Sequence, residues 1–170
     1  MDTVVYQLDM IDRFTKDENA TDYDRAVTYC SNILTNCPAS IRHNALKCEY
    51  LLRASHLAEA SKFSKDLMSN PDMAPVPLIQ SWMGRILCYS GNEIKGKKVL
   101  QDALRVDPDL TDAMKTLKLL KVAASRKEEA SEIFKANEFE QAILAFDGCL
   151  EIDPLNLAYN STICLNKAIC

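Results

Sequence analysis

Two histidines, seven cysteines and a few neighbouring carboxylates are the residues of this 170-residue chain that could do chemistry. A nucleophilic site needs a Ser or Cys within reach of a base that a third group orients, and a metal site needs several His, Cys, Asp or Glu side chains converging on one point. His43 and His56 stand apart from any Ser, Cys or carboxylate at a catalytic spacing, and neither a Gly-rich phosphate loop nor a nucleophile elbow occurs. Cys30, Cys37, Cys48, Cys88, Cys149, Cys164 and Cys170 are odd in number and scattered singly, without a CxxC pair. The acidic pairs Asp107 with Asp109 and Glu128 with Glu129 suit helix ends better than acid–base chemistry. The expectation is a protein that is not an enzyme and that needs no metal or cofactor.

Binding chemistry is the alternative, and it depends on the elements that would carry it. The composition, 48% hydrophobic and 26% charged, is that of a folded soluble protein, with only four glycines and six prolines. Runs of alternating β-branched residues are missing, so the fold class is all-α. A net charge of −4 spread over mixed segments lacks the basic block of a nucleic-acid-binding protein. No apolar run approaches the roughly 20 residues of a membrane span, and the N-terminal stretch MDTVVYQLDMIDRF is acidic where a signal peptide is basic. Single cysteines such as Cys30, beside Ala26 and Ile33, act as small hydrophobes, which fits reduced thiols in the cytoplasm or the nucleus.

Helix stops recur along the chain as CPAS, NPDMAPVP, SGN, VDPD and IDPLN, between segments of helical length. Three segments align on Pro38, Pro108 and Pro154: twelve residues earlier stand Ala26, Gly96 and Ala142, eight earlier Cys30, Leu100 and Phe146, and five earlier Ile33, Ala103 and Cys149. This small, large, medium order makes one apolar helix face. A fourth segment joins through Ala60. In the preceding helices Cys48, Gly84, Ala130 and Ala168 mark close approach, at separations of 36, 46 and 38 residues. Between Leu110 and Asp147 there is neither Gly nor Pro, so one long helix is expected over about residues 110–136.

This A-x-x-x-[large]-x-x-[small] pattern with its terminal D-P is identified as that of the tetratricopeptide superfamily. The expected architecture is a right-handed superhelix of antiparallel helix pairs, an α-solenoid, in one array: repeats over about 3–38, 39–72, 74–108 and 110–154, and a partial fifth over 155–170. The last third, SRKEEASEIFKANEFEQAILAFDGCLEIDPLNLAYNSTICLNKAIC, resembles the middle repeats of cytosolic co-chaperones that join such an array to a C-terminal J domain, the DnaJ subfamily C member seven group. The resemblance implies a scaffold that binds the acidic C-terminal tails of Hsp70 and Hsp90, or chaperone clients, through a carboxylate clamp. In that family the first clamp helix supplies a Lys and, four residues on, an Asn; the next supplies an Asn. Lys127 and Asn166 match, and Ser131 stands in place of the first Asn. The His-Pro-Asp signature of a J domain is absent, and a piece of a longer protein is expected.

The same register turns the first helix of each pair toward an inner surface, with Arg42, Arg53, Arg85, Lys127 and Lys135 set against Glu49, a net +4 that would steer acidic segments inward. Tyr89 and Phe134 join these as groove candidates, whereas Trp82 reads as core. Ile163, Cys164, Leu165, Ala168 and Ile169 give the last helix an apolar face open to self-association. An adaptor in a non-chaperone complex and an accessory segment of a larger enzyme carry the same pattern and stay open as functions.

Overall fold

The computed structural model describes residues 3–17 and 20–170; Met1, Asp2, Glu18 and Asn19, which belong to the acidic N-terminus and the first expected repeat, lie outside the described residues. The described residues form nine helices: α1 (Thr3–Lys16), α2 (Tyr23–Asn36), α3 (Ile41–Arg53), α4 (Leu57–Ser69), α5 (Pro77–Tyr89), α6 (Glu93–Val106), α7 (Thr111–Lys135), α8 (Phe139–Leu150) and α9 (Leu157–Ile169). Each packs on the next in sequence, and α5 also touches α3, α7 and α9.

Local chemistry sets the helix ends. Asp22, Asn92 and Asn156 are side-chain N-caps, accepting from the backbone N–H of Arg25, Lys95 and Tyr159, and Pro77 opens α5 where its missing N–H costs nothing. Helices α3, α5 and α7 all stop in the same way. Ser55, Gly91 and Asn137 have φ of 63°, 86° and 63°, and the next residue in each case bonds back across the turn: His56 N–H to Leu51 O at 2.8 Å, Asn92 to Leu87 at 2.9 Å, Glu138 to Ile133 at 3.3 Å. This left-handed cap reverses the chain into the following helix. The three caps are 36 and 46 residues apart, the spacing of Cys48, Gly84 and Ala130, so each helix pairs with its successor at the same height above its turn.

The small residues sit where two helices meet, with the exception of Ala168, which was expected to mark close approach as well and is instead exposed on α9. Ala26, Ala60, Gly96 and Ala142 are buried, as are Cys48, Gly84 and Ala130. At the α5–α6 crossing a Cβ on Gly84 would fall 2.7 Å from Leu100 Cγ, and one on Gly96 would fall 2.6 Å from the Gly84 carbonyl oxygen. Leu100 fills the space beside this contact and is fully buried, worth about 2 kcal/mol of apolar transfer.

The core forms three clusters. The first joins α1, α2 and α3 around Ile11, Cys30 and Tyr50. The middle one is built on α3 to α7 around Leu51, Ile79, Trp82, Ile86 and Leu100. The last joins α7, α8 and α9 around Ala130, Phe146 and Ile163. Helix α7 belongs to two of them, through Ala113 and Leu120 in its first half and Ala130 in its second. All seven cysteines are free thiols, four of them buried; burial pushes Cys30 and Cys48 up to about 12 and Cys88 up to about 11.

Candidate functional site

Lys127 and Ser131 lie one turn apart on the second half of α7, facing α9. Helix α9 is held there by the Tyr159 hydroxyl, which donates to the Ala123 carbonyl at 2.9 Å, and by Lys167, which pairs with Asp147 of α8. Ser131 and Asn166 line one hollow of about 130 Å³ with Phe134, Phe146 and Ile169. Lys127 lines the adjoining cleft of about 400 Å³ between α7, the start of α9 and the α5–α6 turn, together with Glu93, Glu128 and Thr162. The two hollows are neighbours on one face, and the three residues expected to act together are divided between them.

Their donors differ in availability. Ser131 Oγ donates to the Lys127 carbonyl at 2.7 Å, so its single proton is spent inside the helix. The neighbouring charges of the KEEASE stretch pair elsewhere: Glu129 with Arg126 at 3.2 Å and Glu132 with Lys135 at 2.6 Å. Lys127 Nζ and the Asn166 amide make no hydrogen bond or ion pair among the described residues.

The other groove candidates are more engaged than a count of isolated charges implied. Arg42 pairs with Asp12 at 2.7 Å, Arg53 with Glu49 at 2.8 Å while covering the Tyr23 ring at 5.6 Å, and Lys135 with Glu132. Three of the five cations therefore are ion-paired with a carboxylate, and the expected net +4 is corrected to two cations that make no ion pair among the described residues, Arg85 and Lys127. Each pair is solvent-exposed and adds little to stability, ~0–1 kcal/mol, but it cancels charge locally. Tyr89 is also corrected: it is 0% exposed and so cannot touch a ligand in a groove. Trp82 is core, and Phe134 is half-buried, edge-on to Phe139 at 5.6 Å. On α9 Ile163 is 0% exposed and belongs to the core rather than to the expected outer apolar face, which retains Leu165 and Ile169 at 62% and 63%.

A polar network that periodicity could not reveal lies beside this face. The Tyr89 hydroxyl donates to the buried carboxylate of Asp153, in the turn before α9, and accepts from Arg85 Nε at 3.0 Å. Burial raises the Tyr89 phenol far above its ordinary value; Asp153 adds to the rise and Arg85 opposes it. Asn160 reaches back to the carbonyls of Asp153 and Pro154 at 3.0 and 3.2 Å, and Leu155 packs on the middle cluster. The D-P of this turn reads in sequence only as a helix stop. Its aspartate is in addition the acceptor that ties α9 to α5.

Among the described residues no group of three or more His, Cys, Asp or Glu is placed to hold a metal ion, and no helix is long and apolar enough to cross a membrane.

Such a helical scaffold, with unspent donors on one face, has distant homologues among DnaJ-related proteins, although no protein-family model matches it. The chain is 26% identical over 166 residues to the DnaJ homolog subfamily C member 7 homolog of Dictyostelium discoideum, covering 95% of this chain and 30% of that protein. It is 25% identical over 124 residues to the protein of the same description in Schizosaccharomyces pombe, covering 72% of this chain and 25% of the relative. A DnaJ homolog subfamily C member 3 homolog of Dictyostelium discoideum is 25% identical over 89 residues, 52% of this chain and 18% of that protein. The chain thus spans less than a third of the length of these relatives.

Proposed function

We propose that this chain is a tetratricopeptide-type interaction module of a J-domain co-chaperone, a right-handed array of helix pairs that binds the acidic C-terminal tail of Hsp70 or Hsp90, or a chaperone client, without catalysis of its own. The homology over most of the chain supports the chaperone association, and the recurring left-handed caps support the repeat reading. The observation that carries the binding site is the unpaired Lys127 ammonium in a cleft of about 400 Å³, with the Asn166 amide in the next hollow along the same face. A carboxylate entering there meets the Lys127 ammonium, which shares the lining with Glu93 and Glu128 but is paired with neither, and, further along, two amide protons. Ser131 is a listener in this arrangement, because its proton is already committed.

Calorimetric titration with a peptide ending Glu-Glu-Val-Asp tests this. Lys127→Ala and Asn166→Ala should each weaken binding about tenfold, the scale of a hydrogen bond to a charged group. Ser131→Asn, which supplies amide donors at the position where the family has them, should strengthen it. Wild-type affinity unchanged by all three substitutions, or by amidation of the peptide terminus, would overturn the clamp.

A further inference from the structure

We propose that Arg85 is a second anion subsite of this scaffold, a preformed fork for the side-chain carboxylate of an acidic residue that lies upstream of the peptide terminus. The proposal rests on the reading that an extended acidic segment is the ligand, and it adds a receptor on α5 that the clamp does not contain.

Arg85 is held in place on three sides. Its guanidinium carbon lies 5.3 Å from the Trp82 ring centroid and 5.2 Å from that of Tyr89, and its Nε donates to the Tyr89 hydroxyl at 3.0 Å. The rings that hold it are themselves fixed, since Trp82 and Tyr89 are buried core and the Tyr89 hydroxyl is tied to Asp153. A guanidinium has five N–H donors, of which the Nε proton is used here. The four on Nη1 and Nη2 meet no acceptor among the described residues, and the side chain is partly buried. The paired Nη edge is the one that takes a carboxylate with two parallel hydrogen bonds.

The other two arginines expected in the groove differ. Arg42 and Arg53 each spend a donor on a carboxylate and must break an ion pair to take a ligand. Arg85 has no such pair to break. Its plane and position are set before binding, so little rotamer entropy is lost when a carboxylate arrives. The Asp153 carboxylate is reached through the Tyr89 hydroxyl, which donates to it, and makes no direct hydrogen bond or ion pair with Arg85 among the described residues.

The test uses fluorescence anisotropy with three peptides. One ends Glu-Glu-Val-Asp after a run of acidic residues; the second keeps that ending but has Gln and Asn in place of the upstream acids; the third has all the acids and an amidated terminus. Arg85→Gln should weaken the first and third about tenfold and leave the second unchanged, and Arg85→Lys, which keeps the charge and loses the fork, should fall between. Equal effects of Arg85→Gln on the first two peptides would overturn the subsite, because a merely structural arginine would act on all ligands alike. Tyr89→Phe, which removes the acceptor of the Nε proton, should weaken the first and third peptides and spare the second, and an equal loss on all three would likewise overturn it. Full binding of the third peptide with Arg85 dependence would retain the subsite while removing the clamp. No binding of any of the three at millimolar concentration would remove both.

Discussion

Tyr89 of α5 and Asp153 of the α8–α9 turn, 64 residues apart in the chain, share a hydrogen bond inside the protein, with the phenol wholly buried and the carboxylate nearly so. Among the described residues no other side-chain hydrogen bond joins the middle of the chain to the turn before α9, and the acceptor is a carboxylate that has left water. Removing its donor strands that acceptor. Tyr89→Phe should therefore lower the unfolding free energy by about 2 kcal/mol, and Asp153→Ala, which also frees a buried hydroxyl, by a similar amount. Urea denaturation of the two single variants and the double variant measures this; losses that simply add would show that the two groups do not interact.

Alkaline pH acts on the same interior. Cys30 and Cys48 are raised to about 12 and Cys88 to about 11 from an ordinary 9.0, and Tyr89 is raised from 10.0, each chiefly by burial. An unfolded chain gives up the thiol protons from about pH 9 and the phenol proton from about pH 10, whereas the folded one holds the thiol protons into the range of 11 to 12 and the phenol proton higher still. Raised folded values mean that this stability is complete below pH 9 and is lost as pH rises through that window, by up to about 1.4 kcal/mol per pH unit for each group. The urea midpoint should fall between pH 9 and pH 11, and less steeply in Cys48→Ala. At pH 8 a thiol reagent should modify the exposed Cys37 and Cys164 first, with Cys30, Cys48, Cys88 and Cys149 reacting only on unfolding.

Gly96→Ala tests the closest approach of the fold. The added methyl would meet the Gly84 carbonyl oxygen at 2.6 Å, and backbone cannot swing aside as a side chain can. The gain in helix propensity, ~1 kcal/mol, is outweighed by overpacking of ~1–3 kcal/mol, so thermal unfolding should shift down. Gly148→Ala, in a helix where an added Cβ meets nothing within 4 Å, is the control and should shift it up.

Much of the scaffold is legible from small residues. Cys48, Gly84 and Ala130 mark the helix faces that are buried, and the left-handed caps follow each of them at the same distance. Periodicity states which face of a helix leaves water, but it does not say what that face meets. Asp12, which neutralises Arg42, comes from two helices away, and Asp153, which receives Tyr89, comes from a turn that registers in sequence only as a stop. Tyr89 was one position among several that could have faced a groove; the arrival of the α8–α9 turn covers it. Ser131 was legible in principle, since a helical serine commonly bonds the carbonyl four residues back. A count of formal charge treats Arg42, Arg53, Arg85, Lys127 and Lys135 alike, and only their neighbours separate the two that keep free donors.

Helix α7 runs unbroken for 25 residues, about 37 Å, and is anchored at one end in the middle cluster and at the other in the last. It acts as a strut. A stack of independent pairs could fray from its terminus one pair at a time, but here loosening α8 and α9 leaves the far half of the same rod clamped by α5 and α6. A push delivered at the α7–α9 cleft is carried along that rod to the neighbourhood of Ala113, so occupancy of the cleft should register in amide exchange about four turns from Lys127, outside the cleft lining.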